Sequence, residues 1–219
     1  MLAFISIVTL IALYFIAQEA LRRSGLHCML TLFGVIPCAL TVFWFQYEDL
    51  DLFLWIKLYT ILFCICWGSW LRFTSHGTNR WFLTTISLLL AANILEAMSM
   101  DFLESGLAHG LNVFSGLLLL VSLPYGASCV RIDIVNKHHD LRFDNCLTWI
   151  VGYTLWNWSF AYLNYSSLMG HHMAILATAL IVAMIDPQRW LQTRAARLSP
   201  PSYFGANPQW KSLCISRSH

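Results

Sequence analysis

Two charged residues of this chain stand deep inside apolar stretches: Lys57 between Ile56 and Leu58, and Glu96 one residue after Leu95. A charge in such company is costly, so it pairs, turns inward or lines a wet path. Lys57 can hold an anion or act as counter-charge, and Glu96 can take and release a proton. At helical periodicity Thr85, Ala92, Asn93 and Ser99 share the face of Glu96, while Thr60, Cys64 and Gly68 share that of Lys57. Further along, His109, Asn112 and Gly116 align. Trp149, Tyr153, Asn157, Phe160 and Asn164 fall within one broad stripe, and His171 and His172 open the last apolar run. Asparagine amides far from water need partners. The pattern implies one polar pocket collecting Lys57, Asn93, Glu96, His109, Asn112, Tyr153, Asn157, Asn164 and His171, with His172 beside it.

Other chemistries fit less well. His109, His171, His172 and Glu96 have the donor types of a zinc centre with an open position. Adjacent histidines on a helix diverge by about 100°, however, and no His-Glu-x-x-His pattern occurs. These four remain weak metal candidates, and no cofactor is expected. A retinal protein needs a lysine in its last span, and none lies between His171 and Ile185. No glycine-rich phosphate loop and no nucleophile elbow appears, so no catalytic residue is assigned, and nucleic-acid binding has no support. Lys137, His138, His139, Asp140 and Asp144 read as a solvated amphipathic connector. The seven scattered cysteines read as free thiols packed as small apolar groups.

The elements that must carry these residues are membrane helices. The chain is 58% hydrophobic and 11% charged, against roughly a quarter charged for soluble domains. Apolar runs cover about 2–20, 27–46, 53–73, 81–100, 107–125, 146–166 and 170–185. The expected fold is all-α: a polytopic bundle of seven transmembrane helices over 1–185 and a basic tail over 186–219. The first run lacks a basic region before it and is expected to stay as a span rather than a cleaved signal.

Charge sets the expected orientation. Twelve of the thirteen lysines and arginines fall in alternate gaps or the tail: Arg22, Arg23, Arg72, Arg80, Arg131, Lys137, Arg142, Arg189, Arg194, Arg197, Lys211 and Arg217. The second and fourth gaps carry Glu48, Asp49, Asp51, Asp101 and Glu104 instead. Basic residues stay cytoplasmic, which places the N-terminus outside and the C-terminus inside. The pocket would then open outward. In the tail, Trp190, Leu191 and Leu198 among arginines suit a cationic helix lying on anionic lipid, or a site for a cytoplasmic partner.

Trp55-Ile56-Lys57-Leu58-Tyr59-Thr60, Asn93-Ile94-Leu95-Glu96-Ala97 and Tyr153-Thr154-Leu155-Trp156-Asn157-Trp158, with Tyr162 and Asn164 following, resemble signature stretches of an uncharacterised bacterial multi-pass membrane family, a domain of unknown function. The resemblance covers about residues 50–185. It implies an inner (plasma) membrane protein and brings no activity with it. The functional expectation is a transporter or channel-like protein for a small polar solute or a proton. The alternatives are a metal-dependent enzyme acting on lipid and a non-catalytic signalling or assembly protein.

Overall fold

A computed structural model of the chain describes residues 2–47, 52–135, 138–166 and 169–195. A helix lies over each of the seven apolar runs. Helix α1 spans Leu2–Arg23. The second run begins as α2 (Leu26–Leu30), widens into a π turn at Thr31–Val35, and continues as α3 (Ile36–Tyr47). Pro37 explains the wide turn: it has no N–H for the Phe33 carbonyl, and its ring crowds that carbonyl in a regular helix.

Next come α4 (Leu52–Phe73) and α5 (Arg80–Leu103), about 33 and 36 Å long at 1.5 Å per residue. Asn79 caps α5 by accepting a hydrogen bond from the Trp81 backbone N–H at 2.9 Å. Helix α6 (Leu107–Val121) stops four residues short of the expected end, before Pro124. Helices α7 (Leu147–Asn164) and α8 (Met169–Ile185) follow, and after a turn at Pro187–Arg189 comes the short α9 (Trp190–Ala195).

Among the described residues two helical stretches, Trp55–Phe73 and Arg80–Leu103, are long and apolar enough, by length and composition, to cross a membrane. Leu26–Val42, Leu107–Val121 and Met169–Ile185 are apolar but shorter. On α6 the outward residues Leu107, Leu111, Phe114, Leu118 and Val121 recur at helical spacing, and every one is exposed.

Packing follows chain order. Helix α5 lies on α6, α6 on α7 and α7 on α8, while α1 returns to pack on α8 and α4 sits between α2 and α5. The main core joins α5, α7 and α8 through Leu90, Ile94, Ile150, Tyr153 and Ala179. A smaller core holds Met29 and Phe33 against Ile61, Leu62 and Ile65. Gly116 marks the tightest approach of α5, α6 and α7: a Cβ there would lie 2.7 Å from Met98 Cγ and 3.1 Å from Trp156 Cζ2.

Two features depart from the sequence reading. The stretch read as a solvated connector is a β-hairpin, β1 (Val130–Val135) and β2 (His138–Phe143), antiparallel with Val130 opposite Phe143 and Ile132 opposite Leu141. Those four apolar side chains form one face packed on the core. The other face sets Arg131 opposite Arg142 and Asp133 opposite Asp140. Such like-charge pairs repel, and diagonal pairing offsets this: Arg142 Nε lies 2.7 Å from Asp133, and its NH1 lies 3.0 Å from Asp186. Nor is Asp140 solvated; it is fully buried.

The second departure is the start of the tail. Residues 190–195 do not form a surface helix. Trp190 and Leu191 are buried, and α9 packs against α8, β2 and α4, inside the bundle. Burying the indole and leucine against Trp149 and Tyr153 outcompetes a place at an interface. Leu198, Arg197, Lys211 and Arg217, like Glu48, Asp49, Asp51 and Lys137, lie outside the described residues.

Candidate functional site

The charged residues sort into an end, a centre and an opposite end. At the hairpin end, Arg22 on the last turn of α1 grips Asp140 with two parallel bonds, Nε to Oδ1 at 2.8 Å and NH2 to Oδ2 at 2.7 Å. Its NH1 reaches Glu19 at 2.9 Å, and Arg189 closes on the same carboxylate at 3.3 Å. Burial pushes the Asp140 carboxyl up, but the hydrogen bonds and charge of Arg22 outweigh it and hold the group below the usual carboxylate range. Arg22 is correspondingly raised above its ordinary value, chiefly by the Asp140 bond.

The open edge of β2 is closed from both sides. Arg72, at the end of α4, donates to the His139 carbonyl at 2.5 Å and the Arg22 carbonyl at 3.0 Å. Gln192 of α9 accepts from the Leu141 N–H at 2.5 Å and donates to Asp140. These bonds occupy edge groups of β2 that another strand would otherwise pair with.

The centre is built by α4, α5, α7, α8 and α9. Lys57 Nζ lies 3.1 Å from Glu96 Oε2, and both side chains are mostly buried. Glu96 Oε1 is buried with no hydrogen-bond partner among the described residues. One turn back on α5, the Asn93 amide oxygen accepts from Arg194 NH2 at 3.2 Å. The Arg194 guanidinium lies over the Tyr153 ring at 4.6 Å and near Trp190 at 5.9 Å. It is close enough for its charge to act on Lys57, Cys64 and His172. Asn157 donates to the Tyr153 hydroxyl at 3.0 Å, and its oxygen receives His172 Nε2 at 2.8 Å. Two cations, Lys57 and Arg194, thus share this interior with one carboxylate.

At the opposite end Asp101 is the hub. Its Oδ1 lies 2.9 Å from His109 Nδ1 and 2.8 Å from Asn164 Nδ2, and its Oδ2 accepts from Asn112 Nδ2 at 2.6 Å. Separately, the Tyr14 hydroxyl meets His171 Nε2 at 2.5 Å.

The one pocket expected from the spacing is therefore three places. Lys57, Asn93, Glu96, Tyr153, Asn157 and His172 gather in the centre. His109, Asn112 and Asn164 belong to Asp101, and His171 belongs to Tyr14. Among the described residues no hydrogen bond joins these groups. The reason is geometric: Phe160, stacked on Trp156, stands on α7 between Asn157 and Asn164, and the Trp156 indole is tied to the Asn112 carbonyl at 2.8 Å. The four weak metal candidates go to four different partners. Among the described residues no three His, Cys, Asp or Glu side chains converge as a metal site.

Space is found elsewhere than expected, on the hairpin side of the centre. A cavity of about 80 Å³ is bounded by α2, α4, α5, β2 and α9, with Arg72, Asn93 and Arg194 among walls such as Ile61, Ile65 and Leu90.

Two residues here escaped sequence reasoning. Asp101 looked like a loop acid, yet it follows Asn93 and Glu96 by eight and five residues on a helix that runs on to Leu103. Arg194 was counted with the cytoplasmic charges. The only signal was Trp190 and Leu191 four and three residues before it, apolar enough to pull the segment inward.

These features define a class: an apolar helical bundle latched at one end by an ionic hairpin, whose centre holds, among the described residues, two cations and one carboxylate. The chain belongs to the family of unknown function DUF5692, which matches residues 1–206 and so takes in α1 to α3 as well as the signature stretches. No curated protein and no solved structure matches it.

Proposed function

We propose that this chain is a multi-pass protein of a cell (inner) membrane that moves a small polar or anionic solute, or a proton, through the centre of its bundle. The seven helical rods are its spans, with the N-terminus outside and the hairpin end in the cytoplasm. Support comes from the wholly apolar exposed stripe of α6, which suits acyl chains and not water. It comes also from Arg22, Arg23, Arg72, Arg80, Arg131, Arg142 and Arg189 gathering at one end. The shorter apolar helices cross where the bilayer thins locally around them and flanking side chains snorkel to the interface.

One observation carries the transport reading: the Lys57–Glu96 contact at 3.1 Å, in an interior where Arg194 adds a second cation. Glu96 serves as an internal counter-ion that an incoming anion displaces or a proton neutralises. Asn93, Asn157 and Tyr153 supply the neutral hydrogen bonds along the way, while Asn112, Asn164, His109 and Asp101 form a separate outer station. In proteoliposomes, Glu96→Gln is expected to abolish pH-coupled flux. Flux that keeps its pH dependence in that variant removes Glu96 from the mechanism.

A further inference from the structure

The cavity beside the centre has a composition that names its occupant. An arginine has five N–H donors. Arg194 spends one on Asn93, and Arg72 spends two on backbone carbonyls of His139 and Arg22. Neither has a carboxylate within ion-pair distance among the described residues. Arg72 and Arg194 both line the same cavity, whose remaining wall is chiefly isoleucine and leucine. Arg72 is buried and Arg194 half-buried; cations drawn out of water without a paired anion are costly, and a ligand that supplies the anion offsets that cost.

We propose that this cavity binds an organic monocarboxylate with a short aliphatic chain. This rests on the transport reading and narrows its solute to that class. A planar guanidinium matches a carboxylate by two parallel bonds. Arg194 takes the carboxylate because most of its donors are uncommitted, whereas those of Arg72 hold the hairpin edge. The chain lies along Ile61, Ile65 and Leu90 toward Leu141. Inorganic anions would leave that apolar wall uncovered and lose their own hydration without return. Size agrees: a water needs roughly 10–15 Å³ of such space, so about 80 Å³ accommodates a ligand of hexanoate's size. Gly68 lines the cavity, and a Cβ built on it meets nothing within 4 Å. A side chain there therefore competes with the ligand for room and not with the fold.

The test is titration calorimetry on the purified full chain in nanodiscs, with hexanoate as probe. Saturable binding is expected, weakened at least tenfold by Arg194→Gln and lost in Gly68→Phe, with phosphate, chloride and hexylammonium each at least tenfold weaker. Should Gly68→Phe fail to fold by thermal melting, Arg194→Gln and the charge-inverted hexylammonium still decide. Absence of saturable hexanoate binding overturns the proposal, as does unchanged affinity in Arg194→Gln. Phosphate binding more tightly than hexanoate overturns the monocarboxylate assignment, and equal binding of hexylammonium reduces the effect to apolar partition. The two readings separate cleanly. Hexanoate binding without flux keeps this site and rejects transport, and proton or chloride flux without hexanoate binding does the reverse.

Discussion

The hairpin end and the bundle centre both bury charge, and they settle it in opposite ways. Around Asp140 most strong donors meet an acceptor: Arg22 is bidentate, Glu19 takes Arg22 and Arg189, and Arg72 and Gln192 bond the strand edge, with Arg189 Nε the exception. At the centre Lys57 makes one contact to Glu96, the other Glu96 oxygen has no partner among the described residues, and Arg194 rests on an amide and two aromatic faces. The more completely a buried polar network is satisfied, the more it rigidifies a structure, and a buried polar atom without a partner calls for a role. The first region is architecture, and the second is where an incoming ligand or proton has something to gain.

That contrast is most exposed to failure through paired amide substitutions. Asp140→Asn keeps the shape but turns an amide N–H toward Arg22, so it is expected to cost about 3–5 kcal/mol of stability, as breaking a buried pair does. Glu96→Gln, which still offers an oxygen to Lys57, should cost only about 1–2 kcal/mol, near the value of one hydrogen bond to a charged group. Denaturant titration in detergent, followed by tryptophan emission, measures both. Equal losses would erase the distinction between the two regions. Acid provides the same comparison without mutation. The Asp140 carboxyl is depressed in the fold, so its contribution is complete above the ordinary carboxylate pKa and disappears as pH falls through the depressed value. Amide exchange in β2 is expected to accelerate in that acid window in the native chain and to lose this pH dependence in Asp140→Asn.

A packing pair sharpens the contrast further. Gly77, in the turn between α4 and α5, admits no side chain: a Cβ would lie 2.3 Å from the Leu71 carbonyl oxygen and 3.0 Å from Ile132 of the hairpin. Since the nearest obstacle is backbone, Gly77→Ala is expected to cost about 1–3 kcal/mol and to loosen β1, read as faster exchange of its amides.

How much of this was legible beforehand differs by element. Helix positions were legible because each apolar run is long and most are bounded by charge or proline, the gap at 166–170 being the uncharged exception. The facing of Lys57 and Glu96 followed from two consecutive helices with charges at matching depth. The hairpin was hidden by its place in a basic gap, although Val130, Ile132 and Ile134 alternate with Arg131 and Asp133 in the two-residue period of a strand. Depth along a helix was legible but lateral position was not. His109, Asn112 and Asn164 share a level with one another yet face Asp101, because helical spacing orients a side chain without saying which neighbour stands there. Arg194 lay beyond any periodicity argument. Its place depends on a six-residue helix folding back, held by the burial of Trp190 against Trp149 and Tyr153 and by the bonds of Gln192 to β2.

The smallest expected effect tests the open side of the comparison. Gly68 sits inside α4, facing the cavity, with nothing within reach of an added Cβ. In a helix interior alanine is better than glycine by roughly 0.5–1 kcal/mol, because the unfolded chain has less freedom to lose. Gly68→Ala is therefore expected to raise stability by about that amount, where Gly77→Ala lowers it. A methyl group is also small enough to leave most of the cavity, so hexanoate affinity should fall by less than about threefold while Gly68→Phe removes it. A destabilised Gly68→Ala would mean that the wall is packed, and the space assigned to a ligand would be gone. A graded loss from alanine to phenylalanine, with stability moving the other way at the first step, is what a cavity open for occupancy requires.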